Sequence, residues 1–232
     1  MTIKVIQFAE IGTVTFRKNR RSKNIKISVK PDKSVLVSYP FYVTASEVSA
    51  FVLKNEDWIV AQQRKFAKRK TVVNHGTVIK TKLHSITFLK GEKSSIGQRE
   101  RDITVKLTDF DDDLSQQNVE RILTSVYKDE ACELLPLRLQ QLAEKYDFKY
   151  NRVTIRNNKR NWGSCSSANN ISLNLQMMKL PNELIDYILL HELVHTKIKN
   201  HSPAFWKKLD EVTGNRAIAL AKEVKKYSTY SL

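Results

Sequence analysis

Three of the chain's five histidines, His191, His195 and His201, lie within eleven residues in the segment HELVHTKIKNH, with Glu192 beside the first. Residues four apart on an α-helix stand one turn above each other, so His191 and His195 can offer two imidazole nitrogens to one ion. Glu192 projects about 100° round the helix from His191, toward the place where a metal-bound water would sit and where a carboxylate can take its proton. His201 follows a possible turn and could complete a three-ligand site with the fourth position open, as catalytic zinc requires. Imidazole also suits copper, nickel and iron, so the spacing implies Zn2+ or another divalent transition metal.

The stretch LPNELIDYILLHELVH carries Leu184, Ile185, Ile188, Leu189, Leu190, Leu193 and Val194 on nearly every side, the pattern of a buried helix. Histidine and glutamate need partners in such a helix, because an unpaired buried charge is costly. The spacing to His201 matches the metzincin string H-E-x-x-H-x-x-G-x-x-H, except that Ile198 occupies the glycine position. A β-branched residue does not readily take a positive φ, so the helix is expected to run on to a left-handed cap at Asn200. Ser202 and Pro203 then supply an N-cap and a first-position proline for the next helix. No methionine follows His201, which removes the Met-turn and argues against metzincin membership.

The elements that must position this cluster read as follows. Ile25, Ile27 and Val29, then Val35, Val37 and Tyr39, alternate with polar residues across Pro31-Asp32-Lys33-Ser34, a hairpin signal. Thr44 to Glu47 forms a capping box, with Val43 and Val48 placed for a hydrophobic staple, and Val48, Phe51, Val52, Ile59 and Phe66 continue one long helix to about Lys68. Short strands are expected near Thr77 to Thr81, Ser85 to Leu89 and Asp102 to Leu107. The acidic run Asp109 to Asp113 marks the expected boundary between a β-rich N-terminal subdomain, 1–110, and a metal-binding catalytic domain, 111–232. Beyond it, Val119, Ile122, Leu123, Val126 and Tyr127 recur at helical spacing, with Pro136 expected to kink or restart the helix. Strands near Val153 to Arg156 and Asn170 to Leu175 flank the segment WGSC, Trp162 to Cys165. Helices from about Pro203 to Val212 and Asn215 to Lys226 are separated by Gly214. Long helix, small sheet, buried histidine helix and closing helices is the order an α+β, zincin-like minimal metalloprotease core requires.

HELVHTKIKNHSPAFW, with RNNKRNWGSCSSANNISLN upstream, resembles the YgjP-like metallopeptidase family, relatives of the WLM and SprT-type zinc proteases. The resemblance is closest in the second half, through WGSC, NISLN at Asn170 to Asn174, Leu180-Pro181 and the three histidines. In the first half it rests on RKNRRSKNIKISV at Arg17 to Val29 and EDWI at Glu56 to Ile59. It implies the same architecture, His191, His195 and His201 as ligands, and Glu192 as the catalytic residue. The family pattern places a basic residue directly before WGSC, whereas here Asn161 stands there and Arg160 one place earlier.

With 232 residues and 41% hydrophobic content, the chain can form one large domain or two small ones and is not expected to be disordered. No apolar run reaches the roughly 18 residues of a membrane span. The first residues, MTIKVIQFAEIGTVTF, lack the basic start and apolar centre of a leader, so a cytoplasmic protein with no membrane partner is expected. The only cysteines, Cys132 and Cys165, form no C-x-x-C pair, which fits a reducing compartment. Cys165 could be a reactive thiol near the metal, a fourth ligand, or a small buried residue in a tight turn. Forty Lys and Arg against 24 Asp and Glu make the chain +16, with clusters at Arg17–Lys23, Arg64–Lys70, Arg152–Arg160 and Lys222–Lys226. Such a surface attracts polyanions, so a nucleic acid or nucleotide is a possible partner, against the plainer reading of solvated basic faces.

The leading functional expectation is zinc-dependent hydrolysis of a peptide or protein substrate. Arg160, Asn161, Trp162, Asn170 and Tyr187 are the candidate substrate-binding residues. The strand Asn170 to Leu175 is expected to pair with an extended substrate if it lies at a sheet edge. Two alternatives fit the charge: a metal-dependent nucleotide phosphoanhydride hydrolase, and a basic nucleic-acid-binding module with a non-catalytic metal. Resemblance to WLM and SprT-type enzymes also implies a combination in which DNA recruits a protease to proteins bound on it.

Overall fold

A computed structural model describes residues 3–30, 33–67 and 73–229, with the side chains of residues 65–67 and 113 outside the description. The described residues form two compact units, one within Met1–Thr71 and one within Val72–Thr229. Together they hold six α-helices and three mixed sheets, the expected α+β class.

In the first unit, β1 (Ile3–Phe8), β2 (Gly12–Lys18), β3 (Lys26–Val29) and β4 (Val35–Tyr39) form a sheet of order β1-β2-β4-β3. The expected hairpin is β3 and β4, antiparallel with Val29 opposite Val35; Pro31 and Asp32 of its turn lie outside the described residues. Alternation sends Val14, Phe16, Val35, Val37 and Tyr39 inward against Val48, Val52 and Ile59. The capping box starts α1 (Ala45–Lys54): Glu47 N–H donates to the Thr44 hydroxyl, and Thr44 N–H donates to the Glu47 carboxylate. The single long helix expected from Val48 to about Lys68 is instead two, because Asn55 leaves helical geometry, its side-chain amide donating to Phe51 O at 2.7 Å. The second, α2, is Glu56–Ala67. Phe66's side chain and residues 68–70 of the second basic cluster lie outside the description.

The second unit begins with its own sheet: β5 (Val78–Lys80), β6 (Ser85–Lys90), β7 (Ser95–Arg99) and β8 (Asp102–Leu107), order β5-β6-β8-β7. The sequence reading grouped these residues with the N-terminal part, yet they fall with the helical half. A helix residue explains the attachment. Glu130 of α3 (Asp113–Lys145), with a wholly buried side chain, accepts from the Lys82, Leu83 and His84 backbone N–H groups, from the Thr81 hydroxyl and from His84 Nδ1. Pro136 neither ends nor restarts α3, which is continuous through it.

The remaining elements surround one helix. β9 (Arg152–Arg156), β10 (Gly163–Cys165) and β11 (Asn170–Asn174) form a three-stranded sheet, followed by a 3-10 helix at Leu175–Lys179, then α4 (Asn182–Lys197), α5 (Pro203–Thr213) and α6 (Ala217–Val224). α4 packs against α3, β10, α5 and α6, so its all-round apolar composition has a partner on every side. Arg138 of α3 clamps Asp186 of α4 through two 2.7 Å bonds, and Arg216 pairs with Glu183. No described helix is long and apolar enough to cross a membrane.

Candidate metal centre

The buried stretch of α4 brings His191 and His195 to one face, and the short connection to α5 returns His201 to them. His201 Nε2 stands 3.1 Å from His191 Nε2 and 3.2 Å from His195 Nε2. Three nitrogens bonded to one zinc at about 2.0–2.1 Å in tetrahedral directions stand about 3.3 Å apart; both His201 contacts match that spacing, and the ligand atoms of all three histidines lie within 4.8 Å of one another, a group that could hold one ion. Tautomer supports the same fit. His195 Nδ1 donates to Ile198 O at 3.0 Å, which leaves its Nε2 lone pair facing the other two rings. Burial, then the neighbouring His195 and His201, push His191 down to about 3, so it is a neutral imidazole ready to ligate. Burial likewise lowers His195.

The loop that delivers His201 differs from the expected one. α4 ends at Lys197, and Ile198 closes it in extended geometry, φ −129° and ψ 106°, with no left-handed residue at Asn200. A β-branched side chain favours that extended region, and the His195 bond to the Ile198 carbonyl holds the turn. Ser202 and Pro203 begin α5 as expected, and Gly214 ends it at φ 64°. Phe205 of α5, fully buried, lies against all three imidazoles with ring centroids 4.9, 4.5 and 4.7 Å from His191, His195 and His201. The only signal of Phe205 in the sequence is its place four residues after His201, in the first turn of α5.

Glu192 is 5% exposed, and its Oε2 has no hydrogen-bond partner. Burial pushes the carboxyl up to about 8. Facing it is the Gly163 backbone: a Cβ there would stand 2.7 Å from Glu192 Oε1. The WGSC glycine is therefore a requirement of close approach between β10 and α4, a role not recognised in the sequence. Within WGSC, Gly163–Cys165 forms a strand paired antiparallel with β11.

That pairing changes the expected substrate strand. β11 lies between β10 and β9, and both of its edges are used, so the edge strand beside α4 is β10. Asn170 opens the central strand opposite Arg152 and sits three pairs along from Gly163. Arg160 and Asn161 are exposed, Asn161 donating through Nδ2 to Gly163 O at 2.8 Å, and Trp162 is half-buried. Tyr187 is buried, its ring 6.1 Å from that of His191, and burial followed by the Glu192 charge pushes its hydroxyl up to about 12. Asn174, 1% exposed, organises the approach to WGSC: its amide donates to Asn158 O and Asn161 O, and its backbone N–H to Trp162 O.

Cys165 stands outside the group of possible ligands and is half-buried on β10, with Lys199 Nζ 3.8 Å from its sulfur. Burial raises its thiol. Lys199 also donates to Ser166 O at 2.8 Å and to Asn169 Oδ1, tying the segment after α4 to the β10–β11 turn.

The sequence model of the YgjP-like metallopeptidase domain matches residues 23–223. No curated protein matches the chain. Among solved structures, the Pyrococcus abyssi abylysin zymogen is similar at 27% identity and TM-score 0.36, over 40% of this chain and 94% of that one. The Methanocaldococcus jannaschii jannalysin zymogen is similar at 23% identity and TM-score 0.36 over the same shares. Wss1 from Saccharomyces cerevisiae is similar at 26% identity and TM-score 0.29, over 37% of this chain and 73% of that one.

Proposed function

From its place in the YgjP-like metallopeptidase family, to which this chain belongs, we propose that it hydrolyses peptide bonds with His191, His195 and His201 holding a zinc ion. One observation carries the reading. Three imidazole nitrogens gather within 4.8 Å of one another, and Glu192, next to His191 on α4, is buried with an oxygen that has no partner. Zinc, when bound, supplies Lewis acidity toward a carbonyl and a water.

Glu192 serves as general base. It takes a proton as the water oxygen attacks the carbonyl carbon, then delivers one to the amine nitrogen as the C–N bond breaks. Its burial, which raises its affinity for a proton, suits both transfers. Gly163 lets the carboxylate lie against β10, and Phe205 holds the three rings together. The free edge of β10 receives the substrate backbone as an added strand. Among the candidate substrate-binding residues, Tyr187 is favoured to stabilise the carbonyl oxygen, since it stays protonated next to His191 while Arg160 and Asn161 are exposed. A reducing compartment, the cytoplasm, fits two cysteines that form no disulfide.

Metal analysis of untagged protein, combined with digestion of an unfolded protein by the wild type and Glu192→Gln, tests the assignment. One zinc per chain in both, with proteolysis only in the wild type, is expected. Retained proteolysis in Glu192→Gln removes the base, and hydrolysis of nucleoside triphosphates in place of protein replaces the peptidase reading.

A further inference from the structure

The first unit carries a surface that peptide hydrolysis leaves unused. Between Glu10 and Asp32 the sequence has seven Lys and Arg and no acidic residue, so nothing nearby along the chain offsets their charge. Strand alternation sends part of that charge to one face. Phe16, Val37 and Ile27 form a cross-strand row packed toward the core shared with α1 and α2, and the next row, Arg17, Ser38 and Lys26, therefore stands on the opposite face of the sheet. One hydroxyl thus lies between two cations, each a strand spacing of about 4.8 Å away.

The same end of the sheet presents two aromatic rings. Phe41 and Tyr42, in the connection from β4 to α1, are 63% and 65% exposed and lie edge to face with centroids 5.5 Å apart. They are fastened to the loop after β2, because Lys18 Nζ donates to Phe41 O at 3.4 Å and the Tyr42 hydroxyl donates to Lys23 O at 3.1 Å. Arg20, Arg21 and Lys23 of that loop are exposed. None of Arg17, Arg20, Arg21, Lys23 and Lys26 forms an ion pair with another described residue. Exposed rings beside such cations suit a polyanion whose charges alternate with flat groups: a phosphate can accept from Arg17, Ser38 and Lys26, while a base stacks on Phe41 or Tyr42. A duplex keeps its bases stacked inside, so the fitting strand is single. Ser38 and Asn24 add neutral donors and acceptors, which a ribose 2′-hydroxyl can use and a deoxyribose cannot. An anionic bilayer would use the cations and leave those groups without a role.

We propose that this end of the first sheet binds single-stranded RNA, with bases on Phe41 and Tyr42 and phosphates along Arg17, Ser38, Lys26 and the loop after β2. Fluorescence anisotropy of the full chain with a labelled oligouridylate tests it, with oligodeoxythymidylate of the same length, an RNA duplex and phosphatidylserine vesicles as comparisons. Saturable binding, tightest for the oligouridylate, is expected. F41A/Y42A should weaken it at least about tenfold. R17Q/K26Q should lower the slope of log affinity against log salt by about 0.7 for each cation removed. K222M/K225M, at exposed positions of the second unit, should change neither. Absence of saturable binding overturns the proposal, as does a loss in K222M/K225M equal to that in R17Q/K26Q, or tighter binding to the duplex or the vesicles. Equal affinity for oligodeoxythymidylate overturns the choice of RNA. Ultraviolet crosslinking of the oligouridylate to the wild type, mapped by peptide mass spectrometry, frees the test from variant folding: crosslinks at Phe41 or Tyr42 are expected, and crosslinks confined to other residues overturn the assignment.

Discussion

Two glutamates of the second unit are buried on helices, and they have opposite surroundings. Glu130 has no exposed side-chain surface and accepts from three backbone N–H groups, a hydroxyl and an imidazole. Glu192, next to His191 on α4, is 5% exposed and keeps an oxygen without a partner. Burial pushes both carboxyls up. For Glu130 the hydrogen bonds from Thr81, His84, Leu83 and Lys82 outweigh it and hold the group below the ordinary value, whereas Glu192 reaches about 8. Burial alone therefore does not mark a reactive carboxylate; burial without satisfied acceptors does. One residue fastens a sheet to a helix, and the other keeps an acceptor free for the proton transfer proposed above.

This contrast breaks most sharply at Glu192. Glu192→Gln should cut turnover about a thousandfold with the metal retained and Tm held or raised, because a neutral amide of equal size replaces an unsatisfied acid. Turnover and metal content, measured on one preparation, check it. Glu130→Ala should act the other way: about 3 kcal/mol of stability lost by denaturant unfolding, as buried donors lose their acceptor, with turnover of the folded fraction preserved. Gly163→Ala sharpens the open side, since its Cβ would displace the Glu192 carboxylate. A fall in kcat of about a hundredfold, with zinc content unchanged, is expected.

The smallest effect is the acid response of Glu130. Its folded value lies below the unfolded one, so its contribution is complete above the ordinary glutamate range and is lost as pH falls through the folded value. Thermal unfolding of chelated protein from neutrality into acid should show that loss in the wild type and a flatter acid limb in Glu130→Gln. Parallel acid limbs would make Glu130 an ordinary structural carboxylate.

The histidine cluster was legible because its members depend on local periodicity: His191 and His195 share a face on any helix, and the apolar run around them demands burial. The capping box at Thr44, the stop at Gly214 and the proline start at Pro203 were legible for the same reason, each being set by neighbouring backbone chemistry. Elements that depend on distant partners were not. β11 carries the stronger strand pattern and so suggested the substrate edge, yet pairing placed it centrally and left three-residue β10 outside. Asn55 broke a helix that apolar spacing joined, and Glu130 drew β5–β8 toward α3 across nearly fifty residues.

The amino-acid sequence by itself determined the α+β class, the family and which nitrogen and carboxylate groups could do chemistry, because residue type and helical period are properties of short stretches. Tertiary structure alone decided that Gly163 faces Glu192, that Phe205 underlies three imidazoles and that Tyr42 reaches the basic loop after β2. Those relations join residues far apart in the chain, and packing, which no local pattern encodes, settles who meets whom.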